Sequence, residues 1–389
     1  MNSIFENTQT AFSVKTDTEL ERAYFLFKMI KSQPLVRIGT AITNFALKAH
    51  MPVEHLIRAT VFDHFCGGIT EDDCMSTIAK MYEKKVHSVL DYSVEGKETE
   101  EQFDLAMEKT LKILDFVKEK ESIPFAVFKP TGFGRFEVYR KVTENEELSE
   151  LEKEEWKRIA ERYDKVASKA YQNDVPLLID AEEAWMQTAA DDLIEKLMEK
   201  YNKKRVIVFG TLQMYRWDRM DYLKGLHQRA LEKGYYIGMK LVRGAYMEKE
   251  RERAEEKGYK SPICDTKELT DANYDEAVLY MMEHEKMAVF AGTHNEESSA
   301  RLMELAEKNN IAKDDNRMWF GQLYGMSDHI SYNLAANGYN VAKYLPFGPV
   351  RDVMPYLMRR AEENTSVAGQ TSRELELLKT ERRRRKLTK

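Results

Sequence analysis

The chain has 389 residues, of which 43% are hydrophobic and 32% charged, with a net charge of −6 at neutral pH. That length allows two or three average domains or one of the larger α/β barrels, and the composition is ordinary for a soluble enzyme. Without global basicity nucleic acid is not an expected partner, and a small anionic substrate would need local positive charge.

The opening segment, MNSIFENTQTAFSVKTDTEL, has no basic region leading into an apolar core, and nowhere do about 18 apolar residues run together. A cytoplasmic protein, or one peripheral to a membrane, is therefore expected. From Asp17 to about Lys84 the signals are helical: Leu20, Ala23, Tyr24, Phe27 and Ile30 form an apolar stripe, punctuated afterwards by Pro34, Pro52 and Gly67-Gly68. Cys66, Cys74 and Cys264 cannot all pair, which fits a reducing compartment. His64, Cys66 and Cys74 match no common zinc spacing, so the reading there is buried thiols, a surface histidine and no metal.

After this helical segment, residues 1–85, apolar runs alternate with amphipathic stretches. The predicted strands are Val86 to Tyr92, Phe125 to Lys129, Pro176 to Asp180, Arg205 to Gly210, Tyr236 to Val242, Met287 to Thr293, Met318 to Leu323 and Asn340 to Leu345. Helices are predicted between them, among them Glu101 to Lys118, Ser149 to Asn173, Ala189 to Asn202, Trp217 to Lys233, Asp271 to Glu285, Glu296 to Asn309 and Asp328 to Asn337. Such alternation argues for a parallel sheet, and about eight repeats argue for a closed (βα)8 TIM barrel over residues 86–371. The rival, an open dinucleotide-binding sheet, lacks its phosphate loop, because in PTGFGRFE Glu137 takes the place of the third glycine.

Two charged segments stand out. Thr143 to Asp164 reads as a solvated helix with ion pairs four residues apart. The basic end, residues 372–389 finishing ERRRRKLTK, has two readings: contact with anionic lipid head groups, or a disordered solubilising tail.

In a barrel of this kind chemistry sits at the carboxyl ends of the strands. The second strand ends in Lys129, the third in Asp180 with Glu182 and Glu183, and the fourth is followed by Gln213 and Tyr215. The fifth supplies Lys240, Arg243 and Tyr246, the sixth Thr293, His294 and Asn295. Beyond the eighth come Tyr344 and a helix carrying Tyr356, Arg359, Arg360 and Glu363 at offsets of zero, three, four and seven, which share one face. That stripe suits a small carboxylate, or it is a solvated polar face. Several cations at one mouth call for ligand phosphates and a substrate carboxylate as compensation. Each residue alone also has a structural reading: Asp180 pairing with an arginine, His294 capping a helix, or Lys129 serving as a Schiff-base lysine in a different enzyme class.

The stretches KLVRGAYMEKERERA, LLIDAEEA, the THN after the sixth strand and YLPFGPVRDVMPYLMRRAEEN resemble the proline dehydrogenase family, over about Val86 to Gln370, with DYSVEG at the first strand adding to the likeness. The resemblance implies a distorted (βα)8 barrel that binds FAD and oxidises L-proline to Δ1-pyrroline-5-carboxylate, by hydride transfer from proline C5 to flavin N5, with electrons passing to a membrane quinone. It assigns the proline carboxylate to Arg359 and Arg360 with Lys129, and gives Glu363 the task of orienting an arginine. Tyr246, Tyr344, Tyr356, Leu241 and Leu323 become walls around the pyrrolidine ring, with Asp180 ordering the cationic groups. For FAD it implies Ala181, Gln213, Lys240, Val242, Arg243, Gly244, Ala245, Lys267, Thr293 and His294. Lys240 stands where many bacterial relatives carry arginine, which keeps the charge and loses the planar fork. Tyr344 implies that proline is preferred over 4-hydroxyproline. The base that deprotonates the proline nitrogen is not legible.

Overall fold

The computed structural model describes residues 2–31, 34, 39, 57–93, 96–366 and 370–387, with backbone alone at 2, 3, 59, 361–366 and 370. Its strands are β1 (Val86–Tyr92), β2 (Phe125–Phe128), β3 (Leu177–Ile179), β4 (Val208–Gln213), β5 (Ile237–Val242), β6 (Met287–Gly292), β7 (Met318–Leu323) and β8 (Val341–Phe347). They form a closed barrel in the order β1 to β8. Val86 lies opposite Val341 and Tyr92 opposite Phe347 in the parallel β1–β8 pair, and β2 to β6 pair in parallel in chain order. The barrel read from the alternation is thus the fold observed.

The helices used below are α1 (Asp17–Ile30), α2 (Glu71–Tyr82), α3 (Glu100–Val117), α4 (Phe136–Thr143), α5 (Glu150–Asn173), α6 (Ala184–Tyr201), α7 (Arg219–Lys233), α8 (Met247–Lys257), α9 (Lys267–Met282), α10 (Glu296–Lys308), α11 (Asp328–Ala336), α12 (Met354–Ser366) and α13 (Gln370–Arg384). Local chemistry fixes where several begin. Thr16 with Glu19, Thr70 with Asp73, Thr99 with Gln102 and Ser149 with Glu152 form reciprocal caps at α1, α2, α3 and α5. Each hydroxyl accepts an amide three residues on, and the longer side chain accepts the amide of the cap.

Three expectations are corrected. Strand β4 starts at Val208 and not Arg205, because the Asn202 side chain accepts from the amides of Ile207 and Val208 at 2.9 and 2.8 Å and holds that turn away from the ladder. Helices α4 and α8 were not foreseen, and the charged segment Thr143 to Asp164 is helical from Glu150 onward, as expected, but opens on the last residue of α4 and a connection at 144–149. His64 is buried, with Nε2 3.0 Å from the Gly325 carbonyl and its ring edge-on to Phe27 and Phe65; burial pulls its pKa down to about 3. Gly325, at φ +80, cannot give way there, since a Cβ would come 2.3 Å from the His64 carbonyl oxygen. Cys66 and Cys74 are buried free thiols, as expected.

The chain divides into two compact units, Met1–Glu95 with Gly321–Lys389, and Gly96–Phe320. In the second, Phe125 of β2 meets Phe209, Phe290 and Trp319 edge-on, with centroids 5.7, 5.3 and 5.0 Å away. Such pairs add about 0.5–1.5 kcal/mol each beyond their burial. In the first, Phe12, Leu20, Ala23 and Phe27 pack with Leu375, Leu377 and Leu378, so the C-terminal segment is a docked helix. Its arginines are engaged as well: Arg382 pairs with Glu21 at 2.6 Å and Arg385 with Asp17 at 3.0 Å.

Beneath these helices lies a buried ion cluster. Asp328, at the start of α11, takes Lys343 of β8 at 2.8 Å and Lys15 at 3.0 Å, with its carboxylate only 6% exposed. The two ammonium groups hold the Asp328 carboxyl well below the usual carboxylate range, against burial. Removing one member of a buried ion group leaves the others uncompensated. Asp328→Ala is therefore expected to cost about 3–5 kcal/mol of stability, read as a large fall in the urea midpoint; an unchanged midpoint would show that the cluster does not hold the N-terminal segment to the strands.

Candidate active site

Within the Gly96–Phe320 unit the carboxyl ends of β2 to β6 carry the polar residues singled out in the sequence. Lys129 follows β2 in extended conformation and leads into a 3-10 turn, Pro130–Gly132. Asp180 follows β3, its amide bonded to the Phe128 carbonyl at 3.0 Å, and its carboxylate accepts from the Lys240 ammonium at 2.5 Å. Both side chains are largely buried, at 16% and 8% exposure. Asp180 thus has a cationic partner, and that partner is a lysine of β5.

The residues just past Asp180 are engaged in turn. Ala181 is half-buried. The Glu182 carboxylate accepts from the Thr131 amide at 2.8 Å and the Thr131 hydroxyl at 2.7 Å, and burial pushes it up to about 7. Its carbonyl receives the Gln213 side-chain amide at 2.6 Å. Glu183 pairs with Lys249 of α8 at 3.2 Å. Sequence reasoning noticed Glu182 and Glu183 as strand-end acids but gave them no role, and it did not single out Thr131.

Around β5 the Leu241 side chain is fully buried and Val242 half-buried. Arg243 donates to Asp271 at 2.6 Å, to Thr293 at 3.0 Å and to Ser298 at 3.0 Å, with its guanidinium over the Tyr274 ring at 4.7 Å. It ties the end of β5 to α9, to the residue after β6 and to α10. Lys267 shares Asp271 from four residues away at 2.5 Å. Gly244 sits at φ +134, where a Cβ would meet the Tyr215 ring at 2.5 Å. Only glycine allows both that backbone conformation and that approach. Ala245 is exposed, and Tyr246 is the N-cap of α8, with the Lys249 ammonium 5.7 Å from its ring centre.

Past β6 the buried Thr293 hydroxyl accepts from Arg243 and from the Asn295 amide at 3.1 Å. His294 is half-buried and does not cap the next helix; Asn295 does, accepting from the Ser298 amide at 3.0 Å.

The Met1–Glu95 and Gly321–Lys389 unit carries the other candidates. Leu323 ends β7 and packs on the cluster that includes Tyr356. Tyr344 lies in β8 opposite Val89, 7% exposed, and its carbonyl accepts the Tyr324 amide at 2.8 Å. Helix α12 forms as the spacing implied. The Arg360 guanidinium lies 5.2 Å from the centre of the Tyr356 ring, and both residues are buried, while Arg359 is half-buried. Glu363 lies in α12, but its side chain is outside the described residues.

Comparison with known proteins gives this arrangement a family. The sequence pattern of the proline dehydrogenase family matches residues 74–373. The chain is 37% identical to the carbapenem antibiotics biosynthesis protein CarD of Pectobacterium carotovorum, over 82% of this chain and 83% of that protein. It is 29% identical to the mitochondrial proline dehydrogenase 1 of Arabidopsis thaliana, over 96% of this chain and 85% of that one. Among solved structures, a proline utilization A (PutA) protein from Bdellovibrio bacteriovorus, inactivated by N-propargylglycine, superposes with a TM-score of 0.74 at 22% identity. That match covers 95% of this chain and spans 40% of the length of the PutA chain, so it speaks for the fold. Together with the Lys240–Asp180 pair inside the matched region, these likenesses lead to one conclusion: the chain belongs to the proline dehydrogenase family.

Proposed function

We propose that the chain oxidises L-proline to Δ1-pyrroline-5-carboxylate, with FAD as its cofactor and a membrane quinone as the electron acceptor. The observation that supports this most is the turn after β3, where Asp180 fastens the Lys240 ammonium at 2.5 Å within the segment matched by the family. The donor set fits a flavin dinucleotide: the ammonium groups of Lys129 and Lys240, the Thr293 hydroxyl and the His294 imidazole suit ring carbonyls and phosphates. Ala181, Gln213, Val242, Arg243, Gly244, Ala245 and Lys267 complete the set. The chemistry FAD supplies when bound is acceptance of the hydride from proline C5 at flavin N5.

The remaining work belongs to side chains. Arg359 and Arg360 hold the substrate carboxylate, planar forks being matched to two carboxylate oxygens, and Lys129 adds a point charge to the same task. Glu363 orients an arginine. Asp180 keeps Lys240 in place, so that a fixed charge is ready before any charge develops. Leu241 and Tyr246, and likewise Leu323, Tyr344 and Tyr356, exclude water from the pyrrolidine ring.

Delivery of electrons to a quinone places the protein at the inner face of the cytoplasmic membrane. No helix among the described residues is long and apolar enough to cross one. Anionic lipid would meet Arg383 and Lys386, both exposed, because Arg382, Arg384 and Arg385 are held by Glu21 and Glu381.

The decisive test is the visible spectrum of the purified protein, expected to show a flavin band that bleaches when L-proline is added without oxygen. A colourless protein that traps a carbonyl substrate on borohydride would point instead to Schiff-base chemistry at Lys129. Arg359→Met is expected to raise KM for proline by roughly two orders of magnitude, since losing a charge-assisted bond to a carboxylate costs about 2–5 kcal/mol; unchanged kinetics would remove Arg359 from the site. Turnover of trans-4-hydroxy-L-proline should fall well below that of L-proline, and the reverse order would dismiss Tyr344 as the residue that crowds the ring.

A further inference from the structure

Helix α8, MEKERERAEEK, buries only Glu250 and Ala254. Glu250 has no exposed surface at all. One of its carboxyl oxygens accepts the Ala184 amide at 2.6 Å, while the other is buried without a hydrogen-bond donor. Ala184 is the first residue of α6, and its own N-cap, Glu183, makes no side-chain cap bond. The carboxyl that caps α6 is therefore supplied by a different helix.

The two segments joined in this way are those that matter above. Helix α6 follows Asp180 to Glu183, and α8 begins at Met247, directly after Arg243 to Tyr246. Charges of both signs face the carboxyl. The turn before α6 brings Glu183, itself paired with Lys249. The residues after β4 bring Tyr215 and Arg216, the latter held by Asp218 at 2.6 Å. Helix α8 brings Arg253, held by Glu144 at 2.7 Å, and Tyr259 lies just beyond it. Each nearby cation already serves another carboxylate, so burial is the larger influence and pushes the Glu250 carboxyl up to about 7.

We propose that Glu250 is a proton-linked positioning residue: holding a proton while docked, it fastens the Arg243–Tyr246 turn to the Asp180–Glu183 segment, and losing that proton loosens the two. The proposal rests on the reading above, in which these segments serve proline and FAD. An acid whose docked form keeps its proton longer than its undocked form favours docking at low pH. That advantage is lost as pH rises from the ordinary carboxylate range through about 7, and is level beyond. Between pH 6 and pH 8 the docking equilibrium should fall about tenfold.

Hydrogen exchange of peptides covering α8 and the first turn of α6, corrected for intrinsic rates, measures this directly. The wild-type opening equilibrium is expected to rise about tenfold from pH 6 to pH 8. Glu250→Gln keeps an acceptor for the Ala184 amide but has no proton to lose, so its opening should be level and, at pH 8, lower than that of the wild type. KM for L-proline should rise with the opening in the wild type, beyond whatever pH dependence both proteins share, and not in the variant. Equal pH dependence of exchange in the two proteins overturns the proposal, as does an exchange difference that KM does not follow. Should the variant fail to fold, a pH-independent opening in the wild type alone overturns it. Because exchange is read without turnover, a protein that shows the exchange difference but never oxidises proline counts against the proposed function and not against the latch.

Discussion

A charge removed from water must find its partner within hydrogen-bonding reach, and the turn LLIDAEEA shows how much structure one such requirement can organise. Its three acids each fasten a different neighbour. Asp180 takes the Lys240 ammonium of β5, Glu182 takes both donors of Thr131 after β2, and Glu183 takes Lys249 of α8. With the Gln213 amide on the Glu182 carbonyl, the short strand β3 becomes the anchor for the ends of β2, β4 and β5. A site built on such an anchor has its charges oriented before a ligand arrives, which is the condition under which fixed charges help catalysis most.

The barrel was legible because its strands are apolar on both faces and separated by long amphipathic helices, a pattern that survives errors of a few residues at each boundary. What escaped was governed by side chains that act at a distance in sequence. Asn202 moved the start of β4 by satisfying two amides that would otherwise have joined the ladder. Helix α8 has no apolar stripe to read, since a carboxyl and one methyl are all that it buries. The C-terminal arginines were legible as basic but not as docked, because Glu21 and Asp17 lie at the opposite end of the chain. His64 looked like a surface residue for the same reason: its partner, the Gly325 carbonyl, is far off in sequence.

The candidate site was legible to the extent that its residues end strands, and the roles of neighbouring acids were not. Counting cations along the sequence gave a mouth rich in unanswered positive charge. In the folded unit Arg243 and Lys267 share the single carboxylate of Asp271, and Lys240 has Asp180. Asp271 sits inside α9, away from any strand end, so nothing in the strand pattern marks it as part of the site. Arg243 is further spent on Thr293, Ser298 and the Tyr274 ring, which makes it a brace between β5 and its neighbours more than a free hand for a phosphate. The positive excess left for an anionic ligand is accordingly smaller than the sequence suggests, about one charge for the Arg243, Lys267 and Asp271 group. Lysine at position 240 fits this economy of charge: Asp180 offers it one oxygen at 2.5 Å, a contact that a point charge satisfies and that has no use for a planar fork.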